Sequence, residues 1–419
     1  MQNTWFDTAR FGMFVHWGHS SQQGWELSWP LVGGVFSLPY CQDVPIETYH
    51  QNAHTFNPSE YEPQDWARLA QRLGVQYAIL TAKHHDGFAM FHTQHSEFSI
   101  QHVPYTQDVV RSFLEAMRMY SIRVGLYFSL SDWHHPDYPA FTESDKPYRF
   151  DCLPQPTSDQ WQHYWKFLIA QLRELLTNYG QIDVLWFDGG WERTPEQWRS
   201  SELHQMIRLL QPHCLINDRL PEFGDFDTPE QMIPAHPPAR SWETCLTINE
   251  SWGYNSSDQQ FKSARQLIHS LCEVAGKGGN LLLNVSPMGN GQLPAEQVER
   301  LEVVAEWMSY HAESIIDTKP GLEAWQFYGT STRREHRFYL HLLMKPYDVV
   351  TVRGLPIKRI AAVRSLKTNQ PLEYTTRCTV LDSLLNPDPA GELIIQIPVA
   401  EIDPNATVLT VDLLPENQS

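Results

Sequence analysis

The strongest constraint on the fold is a repeated alternation along the chain. Short apolar runs at residues 11–17, 75–81, 122–130, 182–187, 214–217 and 280–285 are separated by segments with helical spacing. The runs are almost unbroken, which suits strands buried on both faces. Helices are expected over 65–73, closed by Gly74, and over 108–120, with Val110, Phe113, Leu114 and Met117 on one face. A longer one carries Trp161, Trp165, Leu168, Leu172 and Leu175, with Ser158 as N-cap and Gly180 beyond its end. Further helical patterns follow at 203–210, from a Ser257 cap through Leu271 with Gly276 beyond, and at 298–308. Strand–helix alternation predicts a parallel sheet. A (β/α)8-like barrel is inferred over residues 1–323. Irregularity is expected around strands 5–7, because residues 220–256 carry few helical signals. From Ala324 the pattern changes to short apolar or alternating segments at 338–344, 349–352, 392–398 and 407–413, separated by Pro, Asn, Asp and Gly. That predicts a β-sandwich over 324–419.

Charge and cysteine usage narrow the function. Asp and Glu number 49 against 31 Lys and Arg, a net charge of −18, which argues against nucleic acid or anionic membrane as partner. No apolar run is long enough to span a bilayer. The N-terminus lacks a basic region followed by an apolar stretch, and Cys41, Cys152, Cys214, Cys245, Cys272 and Cys378 show no paired spacing. Both point to free thiols and a cytoplasmic protein. The number of copies in an assembly is left open, a homo-oligomer included. The 15 Trp are another signal: many sit in loops with His and Gly, as in a site that stacks against sugar faces.

In barrels of this kind the site lies at the C-terminal ends of the strands. The run 182–187 stops at Asp188, flanked by Trp186 and Trp191 and followed by Gly189-Gly190. Asp188 suits a reacting carboxylate, although alone it could equally cap the next helix. Other strand ends carry His16, His84-His85 and Arg219. Glycoside hydrolysis needs a second carboxylate; Glu192, Glu222, Glu230 and Glu243 are the candidates. The histidines also invite a metal reading. Adjacent residues of a strand point to opposite faces, however, so His84-His85 and His134-His135 are poor chelating pairs. Hydrogen bonding to a polyhydroxylated ligand is the simpler role.

Taken in order, FGMFVHWG, AILTAKHHDGFAMF, GLYFSLSDWHHP, DVLWFDGGW, INDR, SWETC…INESWGYN and KGGNLLLNVSPMGNGQLP resemble the α-L-fucosidases of glycoside hydrolase family 29. The resemblance spans most of residues 5–316. It implies a (β/α)8-like barrel followed by a β-sandwich, and retaining hydrolysis of α-L-fucosides without metal or cofactor. The substrate implied is a fucosylated oligosaccharide or glycoconjugate. By the same resemblance Asp188 is the nucleophile. His16, His84 and His85 match fucose hydroxyl ligands, Tyr127 and Trp186 match aromatic pocket positions, and Arg219 matches the arginine near the nucleophile. The acid/base of the family often lies in a segment like DFxTxE, here residues 225–230. Glu230 leads, with Glu243 of SWETC as runner-up. Glu26 and Trp29 of GWELSW stand where the family has a fucose-contacting Glu-Trp pair, at a different spacing. A non-catalytic fucose-binding barrel and a metal-dependent hydrolase are the competing readings, and the presence of both Asp188 and Glu230 favours the enzyme.

Overall fold

The computed structural model describes residues 5–33, 43–148 and 153–416. Cys41 and Cys152 lie outside them. Among the described residues Cys214, Cys245, Cys272 and Cys378 are free thiols, the first three buried.

Seven parallel strands form one curled sheet: β1 (Phe11–Val15), β2 (Tyr77–Lys83), β3 (Arg123–Ser129), β4 (Val184–Asp188), β5 (Leu215–Ile216), β6 (Glu243–Thr247) and β7 (Asn280–Val285). Their order is β5-β4-β3-β2-β1-β7-β6. Six match the apolar runs, with ends shifted by up to two residues. Alternation divides each strand between two cores. On β4, Val184 and Trp186 join Phe14, Tyr77, Ile79, Tyr127, Cys245 and Leu282 inside the barrel. Leu185 and Phe187 face outward, in the larger core shared with the helices.

Two helix caps differ from expectation. The helix Ser158–Asn178 is capped by Thr157, whose hydroxyl accepts from Gln160 N while the Gln160 side chain answers Thr157 N. The helix Ala264–Gly276 is capped in the same way by Ser263 and Gln266, not by Ser257, and Gly276 is its last residue. A reciprocal pair three residues apart satisfies two donors at once, which a lone serine cannot do.

The sheet does not close strand to strand. Between β5 and β6 runs an extended segment, with Asp225 N donating to Ile216 O at 2.7 Å and Glu243 N to Asp227 O at 3.0 Å. Asn217 bridges Phe226, Asp227 bridges Trp242, and Glu230 bridges Cys245, all parallel. This segment takes the place of an eighth stave, and the irregularity expected around strands 5–7 falls here. Phe226, Thr228 and Glu230 alternate onto one face. The segment is pinned by the Arg208 guanidinium on Asp225 and by Asp218, which accepts from Thr228 N at 3.2 Å and from its hydroxyl.

Downstream, β8 (Lys319–Pro320), β9 (Thr330–Arg334), β10 (Arg337–Leu342), β11 (Val349–Pro356), β12 (Ile360–Ser365), β13 (Tyr374–Arg377), β14 (Ala390–Gln396) and β15 (Thr407–Leu413) form two antiparallel sheets, β12-β15-β10-β9-β8 and β11-β14-β13. Leu340, Val350, Val352, Leu393, Ile395, Leu409 and Val411 fill the space between them. The pattern change at Ala324 falls between β8 and β9. A short helix, Val380–Leu385, was not legible because its apolar residues stay exposed; the Thr379 cap on Asp382 N starts it. The sandwich packs on the barrel through Trp307 Nε1, which donates to Ala406 O at 2.9 Å.

One buried ion pair fixes the loops above β2 and β3. Lys83 Nζ, fully buried, donates to Asp132 Oδ2 at 3.1 Å and lies over the Phe128 and Phe167 rings. Asp132 Oδ1 also accepts from His134 N and His135 N. Replacing Lys83 by Met leaves Asp132 without its cation in a dry site, which should cost about 3–5 kcal/mol in urea unfolding. A loss below about 1 kcal/mol would mean that the backbone donors alone satisfy Asp132.

Candidate active site

Above the barrel interior, at the C-terminal ends of the strands, lies a cup of about 120 Å³ lined by Phe14, His16, Trp29, His84, Tyr127, Trp186, Asp188, Trp191, Arg219, Glu230 and Trp252. Its floor and walls follow from strand alternation: Phe14 and His16 rise from β1, and Trp186 and Asp188 from β4. Tyr127 stacks on Trp186 on one side (centroids 5.6 Å apart, 17° between planes) and on His84 on the other (5.4 Å, 8°). The arrangement is a small recess of mixed aromatic and polar lining, with its polar groups at fixed points, suited to a single sugar ring.

Asp188 is not spent on capping: the turn after it, Gly190–Glu192, has Gly189 at its cap position and no side-chain cap. Its carboxylate accepts from Tyr127 Oη at 2.8 Å and lies 3.5 Å from Arg219 Nη1. Burial pushes the Asp188 carboxyl above the usual carboxylate range, while the Arg219 cation and the Tyr127 hydroxyl pull it back. Arg219 also donates through Nη2 to Glu230 Oε2 at 2.8 Å and lies over the Trp186 ring. One guanidinium therefore touches both carboxylates. Asp188 is recessed, with 15% of its side chain exposed, whereas Glu230 is open at 39%.

The three histidines are neutral hydrogen-bonding groups. Burial lowers the pKa of His16 and His85 to about 3 and takes His84 well below its usual value. Each uses Nδ1 to fix its ring: His16 on Asn284 Oδ1 at 2.7 Å, His84 on Ser28 Oγ at 2.6 Å, His85 on Ser129 Oγ at 2.6 Å. Asn284 Nδ2 donates to Trp252 O at 2.6 Å, so its Oδ1 must accept from His16. That leaves His16 Nε2 as an acceptor for a ligand hydroxyl. His85 Nε2 lies 3.6 Å from Asp188 Oδ2. With every Nδ1 committed to the protein, the rings are aimed separately. Among the described residues no group of three or more His, Cys, Asp or Glu side chains is arranged to hold a metal ion.

Of the remaining candidates Trp29 lines the cup and the carboxylates do not, and His85 is not among the lining residues. Glu243 opens β6 instead of ending a strand; fully buried beneath the cup, it accepts from Trp186 Nε1 at 2.7 Å and Tyr77 Oη at 2.6 Å. Both of its oxygens orient aromatic rings, so the structure makes it a support of the pocket wall. Glu26 is likewise buried, and its oxygens accept from Trp252 N at 2.6 Å and Gly253 N at 2.9 Å. It fixes the loop that carries Trp252, while Trp29 of the same stretch does line the cup. Glu192 is buried on Trp133 Nε1 and Tyr138 Oη, and Glu222 is exposed. Sequence reasoning missed Phe14 and Trp252. Phe14 was findable as the residue two before His16 in the same extended run, and Trp252 as the tryptophan of INESWGYN.

The buried carboxyls carry a pH signature. Burial raises Glu243 to about 7, against opposing bonds from Tyr77 and Trp186. The folded protein thus holds this proton more tightly than the unfolded chain does. The resulting stabilisation is present at low pH and is lost as pH rises from the ordinary value of 4.5 to about 7. Relative to Glu243→Gln, the native protein should lose roughly 2–3 kcal/mol across that window, read by urea titrations at several pH values. A difference that stays flat with pH would show that Glu243 does not titrate there.

Residues 1–313 match the family model described as alpha-L-fucosidase. Tissue alpha-L-fucosidase of Rattus norvegicus is 31% identical over 337 residues, covering 75% of this chain and 70% of that protein. The tissue enzyme of Homo sapiens is 30% identical over 350 residues, covering 78% and 72%. Among solved structures, alpha-L-fucosidase isoenzyme 1 from Paenibacillus thiaminolyticus superposes with a TM-score of 0.86 at 33% identity, covering 99% of both chains. The alpha-fucosidase of Thermotoga maritima, in complex with a mechanism-based inhibitor, gives 0.78 at 29% identity, covering 98% of this chain and 96% of that one. With the family matched over most of the chain and the barrel and sandwich shared with its members, the protein belongs to the α-L-fucosidase family and is a glycoside hydrolase.

Proposed function

We propose that the protein is a retaining exo-α-L-fucosidase that removes terminal α-L-fucose from fucosylated glycans by double displacement, with Asp188 as nucleophile and Glu230 as acid/base. The observation that carries this reading is the Arg219 bridge, which sets a recessed carboxylate and an open one at the same cup. In the first step an Asp188 oxygen bonds to the anomeric carbon as the bond to the leaving oxygen breaks, and Glu230 supplies that oxygen's proton. In the second, Glu230 takes a proton from water, the water oxygen bonds to the anomeric carbon, and the Asp188 carboxylate leaves. Arg219 and Tyr127 stabilise the negative charge on Asp188 before it attacks and as it leaves. His16, His84 and His85 fix the sugar hydroxyls. The rings of Phe14, Tyr127, Trp186 and Trp252 offer apolar carbon to the methyl group of a 6-deoxy sugar, worth roughly 0.8 kcal/mol for a group of that size. The small cup supports action on a chain end.

Asp188→Gly should lower kcat by on the order of a thousandfold or more, with azide restoring part of the rate on an activated fucoside. Near-normal turnover without azide would refute the nucleophile. NMR of the first-formed product should show the α-anomer; first-formed β-fucose would exclude retention. Glu230→Ala should depress kcat/KM far more for poor leaving groups than for good ones, because good ones need little protonation. Glu243→Ala should impair both alike, and the reverse pattern would move the acid/base role to Glu243.

A further inference from the structure

Trp191 lines the cup beside Asp188, yet 46% of it is exposed. A large ring at the surface ordinarily turns inward when its backbone allows, because burying it is favourable. Here the backbone on both sides is fixed. Gly190 O accepts from Trp198 Nε1 at 2.8 Å. A Cβ at Gly190 would come within 2.3 Å of Arg219 O, so this turn lies directly against the one carrying Arg219. On the other side, Glu192 is buried and bonded to Trp133 and Tyr138. Trp191 is thus the outward residue of a three-residue turn anchored at both ends. Its ring meets His85 edge-on, with centroids 5.7 Å apart and planes at 78°. The ring is presented to solvent in a set orientation at the mouth of the cup.

We propose that Trp191 is the platform of a leaving-group subsite, stacking the ring of the sugar to which fucose is attached. This rests on the fucosidase reading above. Glu230, the other open residue of the cup, protonates the departing oxygen, so the rest of the glycan leaves past the mouth where Trp191 stands. The C–H face of a pyranose is apolar and matches an indole face, whereas its hydroxyls can remain in water. Such a platform discriminates between aglycones and contributes little to fucose itself. A preformed aromatic also binds without the entropic cost of ordering a loop.

The test compares two substrates that share fucose and differ in the leaving group. One is α-L-fucosyl fluoride, whose leaving group has no ring. The other is whichever of the α1,2-, α1,3-, α1,4- and α1,6-linked fucosyl disaccharides the native enzyme cleaves best. In Trp191→Ala the ratio of kcat/KM for the disaccharide to that for the fluoride should fall about tenfold, with most of the change in KM. Trp191→Phe should recover most of the ratio. The fluoride rate reports whether each variant is folded. A ratio that changes less than about twofold overturns the proposal, whether both rates fall together or neither does. If the native enzyme cleaves neither the fluoride nor any disaccharide, the fucosidase reading fails first and the subsite falls with it.

Discussion

The site depends on how the barrel is closed. Seven strands leave a gap between β5 and β6, and the segment that fills it carries Glu230. Arg219 stands at the exit of β5 and reaches both Glu230 and Asp188. The bonds from Thr228 to Asp218 and from Arg208 to Asp225 add to its few backbone bonds in holding that segment as a stave. An extended segment with few ladder bonds can still be positioned accurately when side chains supply the missing partners. Closure of the barrel and the geometry of the cup are therefore one problem, solved by the same residues.

A second constraint is the dryness of the interior. Charges are costly there, and each polar group is paired or neutral. Lys83 and Asp132 pair. His16 and His84 in the cup and His85 beside it stay uncharged, which suits groups that exchange hydrogen bonds with hydroxyls. Burial raises Glu26 to about 8 and Glu192 to about 6, yet each carboxyl accepts two bonds that orient a wall of the site. Glu26 anchors the Trp252 loop, Glu243 orients Trp186, and Glu192 orients Trp133, which packs on His85. These acids shape the cup from behind.

Much of the architecture was legible because burial leaves a strong local record. Apolar runs of a few residues, too short for a helix and bounded by turns, suit a sheet covered on both sides, and the helices between them favour parallel pairing. Strand ends marked by His16, His84-His85 and Asp188 showed where polar groups interrupt apolar runs. The stave at 225–231 was not legible as a strand, because Asp, Pro and Thr there are held by side chains distant in sequence. The caps differ although their signal is local: Thr157 and Ser263 are chosen over Ser158 and Ser257 by a partner three residues on.

The sequence by itself determined that the chain builds a parallel barrel with a β-sandwich behind it, and that Asp188 ends a buried strand beside glycines. Hydrophobic period and strand termini are local properties, readable one segment at a time. Only the tertiary structure decided what each carboxylate faces. Glu26, Glu192, Glu230 and Glu243 look alike in sequence, yet three are buried against N–H and O–H donors and one opens onto the cup beside Arg219. Which surroundings a side chain meets depends on strand order and on the closing segment, contacts between residues far apart in the chain. No local pattern encodes that.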